Sequence, residues 1–188
     1  TMRQREALQI YLYELVHGEE HGVMAAVLLA FLRFGSFLYG LGVTITLAFY
    51  KYGILKQHKL GCGVISLGNI TVGGTGKTPT AQNLATVIRD MGYRVVILNR
   101  GYRAGWHGSV GLVSDGRRIY MSVSEAGDEA YLLAKNLPGV AVVIGKNRTI
   151  TGDYAVKNLN AEVIILDDGY QHWQLARDLD IVLIDTVN

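Results

Sequence analysis

Apolar and polar positions divide the chain into two textures. Residues 23–50, VMAAVLLAFLRFGSFLYGLGVTITLAFY, are apolar almost throughout, with Arg33 the single charge. From residue 63 onward, short apolar runs alternate with segments of helical period. VISL (64–67), RVVIL (94–98), VAVVI (140–144), EVIIL (162–166) and DIVLI (180–184) read as strands. TPTAQNLATVIRDMG (78–92), closed by Gly92, reads as a helix, as do EAYLLAKNL (129–137) and, more weakly, RTITGDYAVKNL (148–159). Strands this uniformly apolar are expected where helices cover both faces of a sheet. The pattern therefore predicts an α/β fold: a mostly parallel, doubly wound sheet of about five strands flanked by helices. The Gly- and Ser-rich stretch 101–124 reads as an inserted loop or hairpin.

The first texture is long enough to cross a bilayer, which needs about 20 apolar residues. Two features work against a simple span. Arg33 lies near its middle, where a charge costs roughly 2.5 kcal/mol or more. Gly35, Gly40 and Gly42 weaken one straight helix. The basic cluster Lys51, Lys56, His58 and Lys59 follows directly, as expected on a cytoplasmic side. The reading is a membrane-associating helix or helical hairpin within residues 1–60, ahead of a domain at 61–188. A buried core helix is the competing reading. Residues 1–22 read as a preceding amphipathic helix. The chain stops just beyond an apolar strand, at Asp185-Thr186-Val187-Asn188, and is expected to be a truncated piece.

Composition adds little. The chain has 188 residues and a formal net charge of +2, which gives no sign of a nucleic-acid partner. Cys62 is the one cysteine, so no intrachain disulfide forms, and it reads as a small side chain near the core.

The chemistry begins at GNITVGGTGKTP (68–79). A loop between a buried strand and a helix N-terminus aims backbone N–H groups at one point, where the helix dipole adds positive potential. Gly73, Gly74 and Gly76 let that backbone approach phosphate oxygens. Lys77 is placed to reach the terminal phosphates, and Thr78 to put its hydroxyl on Mg²⁺. Thr71, Val72 and Thr75 complete the loop. Thr71 stands where the usual pattern wants glycine. Pro79 suits the first helical turn. The loop reads as a P-loop NTPase-like nucleotide site.

A carboxylate at the end of a neighbouring strand is needed to hold the metal. EVIILDDGYQH (162–172) supplies Asp167 and Asp168, which point to opposite sides of the strand. One is expected to face Mg²⁺, the other to hold a water or pair with a base. Asp185 ends another strand and reads as a capping acid. Arg100 follows the VVIL strand at the carboxyl edge and suits a phosphate. His172 is placed to orient Asp168 or touch an acceptor. Lys146 and Arg148, at the same edge, read either as contacts for an anion or as a solvated helix start. Tyr102 and Trp106 read as packing residues, or as contacts to acyl chains.

With these residues in view the chain resembles the tetraacyldisaccharide 4′-kinase family. The resemblance runs through GNITVGGTGKTP (68–79), NRGY (99–102), AGDEA (126–130), VIGKNR (143–148) and DDGYQHWQLARDLDIVLID (167–185). Thr71 is no departure within that family. Asn99, Ala130 and Tyr170 stand where serine, proline and leucine are usual. The resemblance implies an ATP-dependent kinase acting on the 4′-hydroxyl of a lipid A disaccharide 1-phosphate. It places the enzyme at the cytoplasmic face of the bacterial inner membrane, with a lipid A disaccharide precursor and a membrane surface as partners. It also places Asp128 at the active site, as the group that takes or orients the acceptor hydroxyl proton; a helix cap is the competing reading of that residue. Family members are longer, and their further part contributes to the substrate cleft. The competing reading is a membrane-tethered P-loop NTPase serving as a switch or nucleotide-binding scaffold.

Overall fold

The structure is a computed structural model and describes residues 22–69 and 76–184. The expected helix at 1–22, the loop residues Thr71, Val72, Gly73, Gly74 and Thr75, and Asp185 lie outside the described residues, Gly22 excepted. The chain divides into two compact units, the first ending at Leu55 and the second beginning at Lys56.

In the first unit a single helix, α1, runs Val23–Lys51. Its 29 residues, at about 1.5 Å each, give roughly 43 Å, enough to cross a bilayer. The hairpin alternative fails here, because the helix passes unbroken through Gly35, Gly40 and Gly42. Two hydroxyls bond back to the glycine carbonyls one turn earlier, Thr44 Oγ1 to Gly40 O and Thr46 Oγ1 to Gly42 O, both at 2.8 Å. Those bonds keep the polar threonines satisfied inside an apolar helix. Phe31, Phe34, Phe37 and Tyr39 remain exposed, so the competing core-helix reading gains no support.

The second unit is a six-stranded sheet: β1 Gly63–Asn69, β2 Val95–Asn99, β3 Gly111–Ser114, β4 Ala141–Ile144, β5 Val163–Leu166 and β6 Leu179–Leu183. Their spatial order is β3-β4-β2-β5-β1-β6. All neighbours pair in parallel except β3, which runs antiparallel to β4 at the edge. The sixth strand corrects the expectation of about five. It comes from the glycine-rich insert, where GLVS is too short and too mixed to register as a strand by pattern alone. The helices are α2 Lys77–Asp90, α3 Val123–Ala126, α4 Asp128–Asn136 and α5 Arg148–Leu159.

Alternation along the strands builds two cores. Val95, Ile97, Val142, Ile144 and Ile165 face one side, where Ala81 and Ala85 of α2 and Ala130, Leu133 and Ala134 of α4 cover them. Val96, Leu98, Val143, Ile164 and Leu166 face the other, with Ala155 of α5, Leu60 and Leu175. Fully burying a Leu or Ile is worth about 1.5–3 kcal/mol, so double coverage explains the unbroken apolar runs. The segment entering β1 is itself part of this fold. His58 N donates to Gln174 O and Ala176 N donates to His58 O, while Gln57 Nε2 donates to Trp173 O at 2.9 Å. Half-buried Cys62 is inert here, its thiol pushed up to about 11 by burial and then by the Asp178 charge.

Candidate functional site

Because five strands run parallel, their carboxyl ends meet at one edge, where open α/β sheets bind ligands. Asn69 ends β1, Asn99 ends β2, Gly145 follows β4 and Asp167 follows β5. The polar chemistry of the domain gathers there.

Gly76 caps α2 with φ 75° and ψ 21°, a left-handed conformation that suits glycine. Lys77, Thr78 and Pro79 form the first helical turn. Lys77 Nζ donates to Asn69 Oδ1 at 2.8 Å and lies 3.4 Å from Asp168 Oδ1. The ammonium is thus held between the end of β1 and the turn after β5. Asp168 has φ 56°, and its side chain is 68% exposed. Gly169 follows in the turn, where a Cβ would clash with Leu166 Cβ and lie 2.9 Å from Ser66 Oγ. A side chain there would push the turn out of place.

Asp167 is different from its neighbour, as the opposed strand positions predict. It is buried, and its Oδ2 accepts from Asn99 Nδ2 at 2.9 Å. Asn99 Oδ1 in turn accepts from Gly101 N at 2.8 Å. Burial holds the Asp167 carboxyl above the usual range, against the Asn99 hydrogen bond, and the charges of Glu129 and Asp168 push it the same way. Arg148 lies under this turn. Its NH1 donates to Gly145 O at 2.7 Å and its NH2 to Asp167 O at 3.3 Å. Burial pushes its pKa down to about 10, still protonated at neutral pH. Arg148 is 2% exposed, so neither sequence reading of it holds: it is neither solvated nor open to a ligand. Lys146, by contrast, is exposed.

His172 N donates to Gly169 O, closing the turn. Its imidazole pKa is lowered by burial first, and then by the Arg148 and Arg100 charges. A histidine whose folded pKa lies below its unfolded value near 6.5 takes up fewer protons folded than unfolded. Its contribution to stability is therefore present above pH 6.5 and is lost as pH falls through the folded pKa. His172→Gln is expected to remove that component. Urea midpoints of wild type and variant, compared from pH 7.5 down to about 5, should converge as pH falls; parallel curves would show that His172 contributes nothing to the pH dependence.

The structure brings Lys77, Asp167, Asp168, Arg100 and His172 into one electrostatic cluster. Asp128 stands apart. It is the first residue of α4, exposed, and no ion pair or hydrogen bond joins it to the cluster among the described residues. It does not cap the helix either, since the N-cap is Gly127 and no side-chain cap bond forms. Its neighbour Glu129 is near enough to perturb Asp167. Asn69, Asn99 and Glu129 are the site residues that pattern reading passed over. A polar residue closing an apolar strand run was the available signal for the two asparagines. Among the described residues, no group of three or more His, Cys, Asp or Glu side chains could hold a metal. Asp168, Asp167 and Thr78 nonetheless offer the oxygen donors that a hard divalent cation prefers.

The chain is similar to proteins of a known family. Residues 28–188 match the family described as tetraacyldisaccharide-1-P 4′-kinase. A tetraacyldisaccharide 4′-kinase of Geobacter sulfurreducens is 46% identical over 172 residues, 92% of this chain and 49% of that protein. One from Syntrophus aciditrophicus is 46% identical over 151 residues, 80% of this chain and 40% of that protein. A crystal structure of Aquifex aeolicus LpxK in complex with ATP superposes with TM-score 0.75 at 43% identity, covering 84% of this chain and 49% of that one. The chain spans about half the length of the relatives it matches.

Proposed function

The chain belongs to the tetraacyldisaccharide-1-P 4′-kinase family, and from that premise we propose that it provides the nucleotide side of an ATP-dependent phosphoryl transfer. The acceptor is the 4′-hydroxyl of a tetraacyldisaccharide 1-phosphate, the lipid A precursor, at the cytoplasmic face of the inner membrane. The observation that carries the reading is the position of Lys77, pinned between Asn69 and Asp168 at the carboxyl edge of a parallel sheet.

In this reading residues 71–78 cradle the ATP phosphates, and Lys77 draws charge from the oxygens around the breaking β–γ bond. Thr78 and Asp168, with Asp167 behind, would hold Mg²⁺, which supplies neutralisation of the phosphate charge. Asp167 has one oxygen committed to Asn99, and this favours Asp168 as the acid nearest the metal. The acceptor oxygen forms its bond to the γ-phosphorus as ADP leaves. Its proton passes to Asp128, at the head of α4. His172 and Arg100 face the transferring group, and Arg100 compensates its charge.

The apolar helix α1 supports the membrane part. A four-chain lipid leaves a bilayer at a cost of about 0.8 kcal/mol per buried methylene, so the enzyme must go to its substrate. The test is transfer of label from γ-labelled ATP to a tetraacyldisaccharide 1-phosphate in vesicles. It is run with the chain alone and with the segment that follows it in its relatives. Labelled lipid supports the kinase. Free labelled phosphate alone, from both forms, favours a switch and overturns the proposal. A form beginning at Lys56 should stay in solution during vesicle flotation and still bind Mg-ATP. Leu60 and the His58 pairing belong to the domain, so the cut is placed before them.

A further inference from the structure

Residues 167–178 carry the chain from the end of β5 across β1 to the start of β6, and no helix forms among them. A parallel crossover without a helix has no hydrogen-bond ladder of its own to fix its shape. Yet near its start stands Asp168, held at φ 56°, a left-handed conformation that a residue with a Cβ keeps only where its surroundings impose it. One side chain reaches back over the crossover from its far end. Arg177 NH1 donates to Tyr170 O at 2.9 Å and to Gly169 O at 3.3 Å. We infer that Arg177 is a positioning residue for the metal-side acid: it braces the carbonyls just after Asp168 and so holds that carboxylate beside Lys77. The inference rests on the nucleotide and metal reading above and extends it to a side chain that works only through the backbone of the turn.

The brace is itself anchored. Arg177 Nε lies 3.3 Å from Asp180 Oδ1, which fixes the plane of the guanidinium, and the arginine side chain is only 12% exposed. Its neighbour Asp178 clasps β1 twice: Asp178 N donates to Val64 O at 2.8 Å, and Asp178 Oδ2 accepts from Val64 N at 2.8 Å. The foot of the brace therefore moves with the sheet. At its head, Gly169 N donates to Leu67 O, and Gly169 O accepts from His172 N as well as from Arg177. A planar fork meets two successive carbonyls and a carboxylate at once, which an ammonium does not. The Asp168 side chain is mostly exposed, so the turn behind it decides where its carboxylate points. Coulomb's law alone argues against a cation here, because a positive charge near the turn repels a divalent metal. Its presence makes sense when the orientation it imposes outweighs that repulsion.

The test is ATP binding by calorimetry, with the full chain in detergent, in EDTA and across a Mg²⁺ series. In Arg177→Ala the Mg²⁺ concentration that gives half of the full gain in affinity should rise about tenfold, the usual effect of losing a group that orients a metal ligand. Affinity in EDTA should stay within about twofold of wild type. The sign discriminates: an Arg177 acting by its charge alone would, on removal, lower that concentration. Arg177→Lys keeps the charge and the stem but not the fork, and should give a smaller rise; it decides the matter should the alanine form not fold. Hydrogen exchange is the second readout. The Gly169 and His172 amides should lose protection in both variants, while those of β1 and β2 keep theirs. A wild-type Mg²⁺ response in both variants, or a lowered Mg²⁺ requirement, overturns the inference alone, as does faster exchange at the turn with no change in the Mg²⁺ response. A wild type whose ATP binding ignores Mg²⁺ overturns the metal reading and this inference with it.

Discussion

Lys77→Ala is expected to lower the rate of phosphoryl transfer by about 10² to 10³ in kcat, the usual effect of losing one preorganised charge donor at a transition state. The fold should hardly notice. Lys77 pairs with Asp168, whose side chain is 68% exposed. An exposed partner regains water when the ammonium goes, so the stability change should stay within about 1 kcal/mol. Two measurements decide it: kcat for label transfer, and the urea midpoint. A kcat within a few-fold of wild type would remove Lys77 from the machinery. A large loss of stability would make any rate effect uninterpretable as chemistry, and Lys77→Met, which keeps the stem packing, would then separate the two.

Arg148→Ala should do the opposite. Its guanidinium joins two loops at the carboxyl edge, donating to Gly145 O and to Asp167 O. Charge-assisted hydrogen bonds of this kind are worth about 1.5–3 kcal/mol each when the acceptor is left behind unpaired. Removing the arginine also relieves the cost of burying its charge, shown by the pKa held down to about 10. The balance is a net loss of about 3 kcal/mol. With a typical urea slope of about 1–3 kcal/mol/M, the midpoint should fall by about 1–3 M. Arg148→Lys should recover only part, because a single ammonium does not reproduce the fork that meets two carbonyls. A midpoint within about 0.3 M of wild type in Arg148→Ala would show that the two loops hold themselves in place.

Much of this was legible in the chain. Double-sided burial leaves a loud pattern, since strands such as VVIL and VIIL have no solvent face to interrupt them. The strand–loop–helix context of Lys77 and the strand-end position of Asp167 and Asp168 were likewise readable. What stayed hidden were properties of neighbourhoods. GLVS becomes a strand only because β4 offers an edge to pair with. Arg148 looked like a solvated helix start because arginine at a helix N-terminus has no reason of its own to be buried; a carbonyl three residues back and another nineteen residues on, brought together by the fold, supply that reason. The asparagines at the ends of β1 and β2 looked like ordinary strand terminators. Their partners, Lys77 and Asp167, are 8 and 68 positions away.

The double grip of Asn99, one amide holding Asp167 and one oxygen holding Gly101, has a consequence for engineering. The acid after one strand and the cationic loop after the next share a single hinge pin. A change in residues 100–109 that moves Gly101 will pull on Asn99 and, through it, on the Asp167 carboxylate behind the turn. Substitutions in that loop and in the turn after β5 are then coupled rather than independent, and a library that holds position 99 constant will explore far less than its size implies.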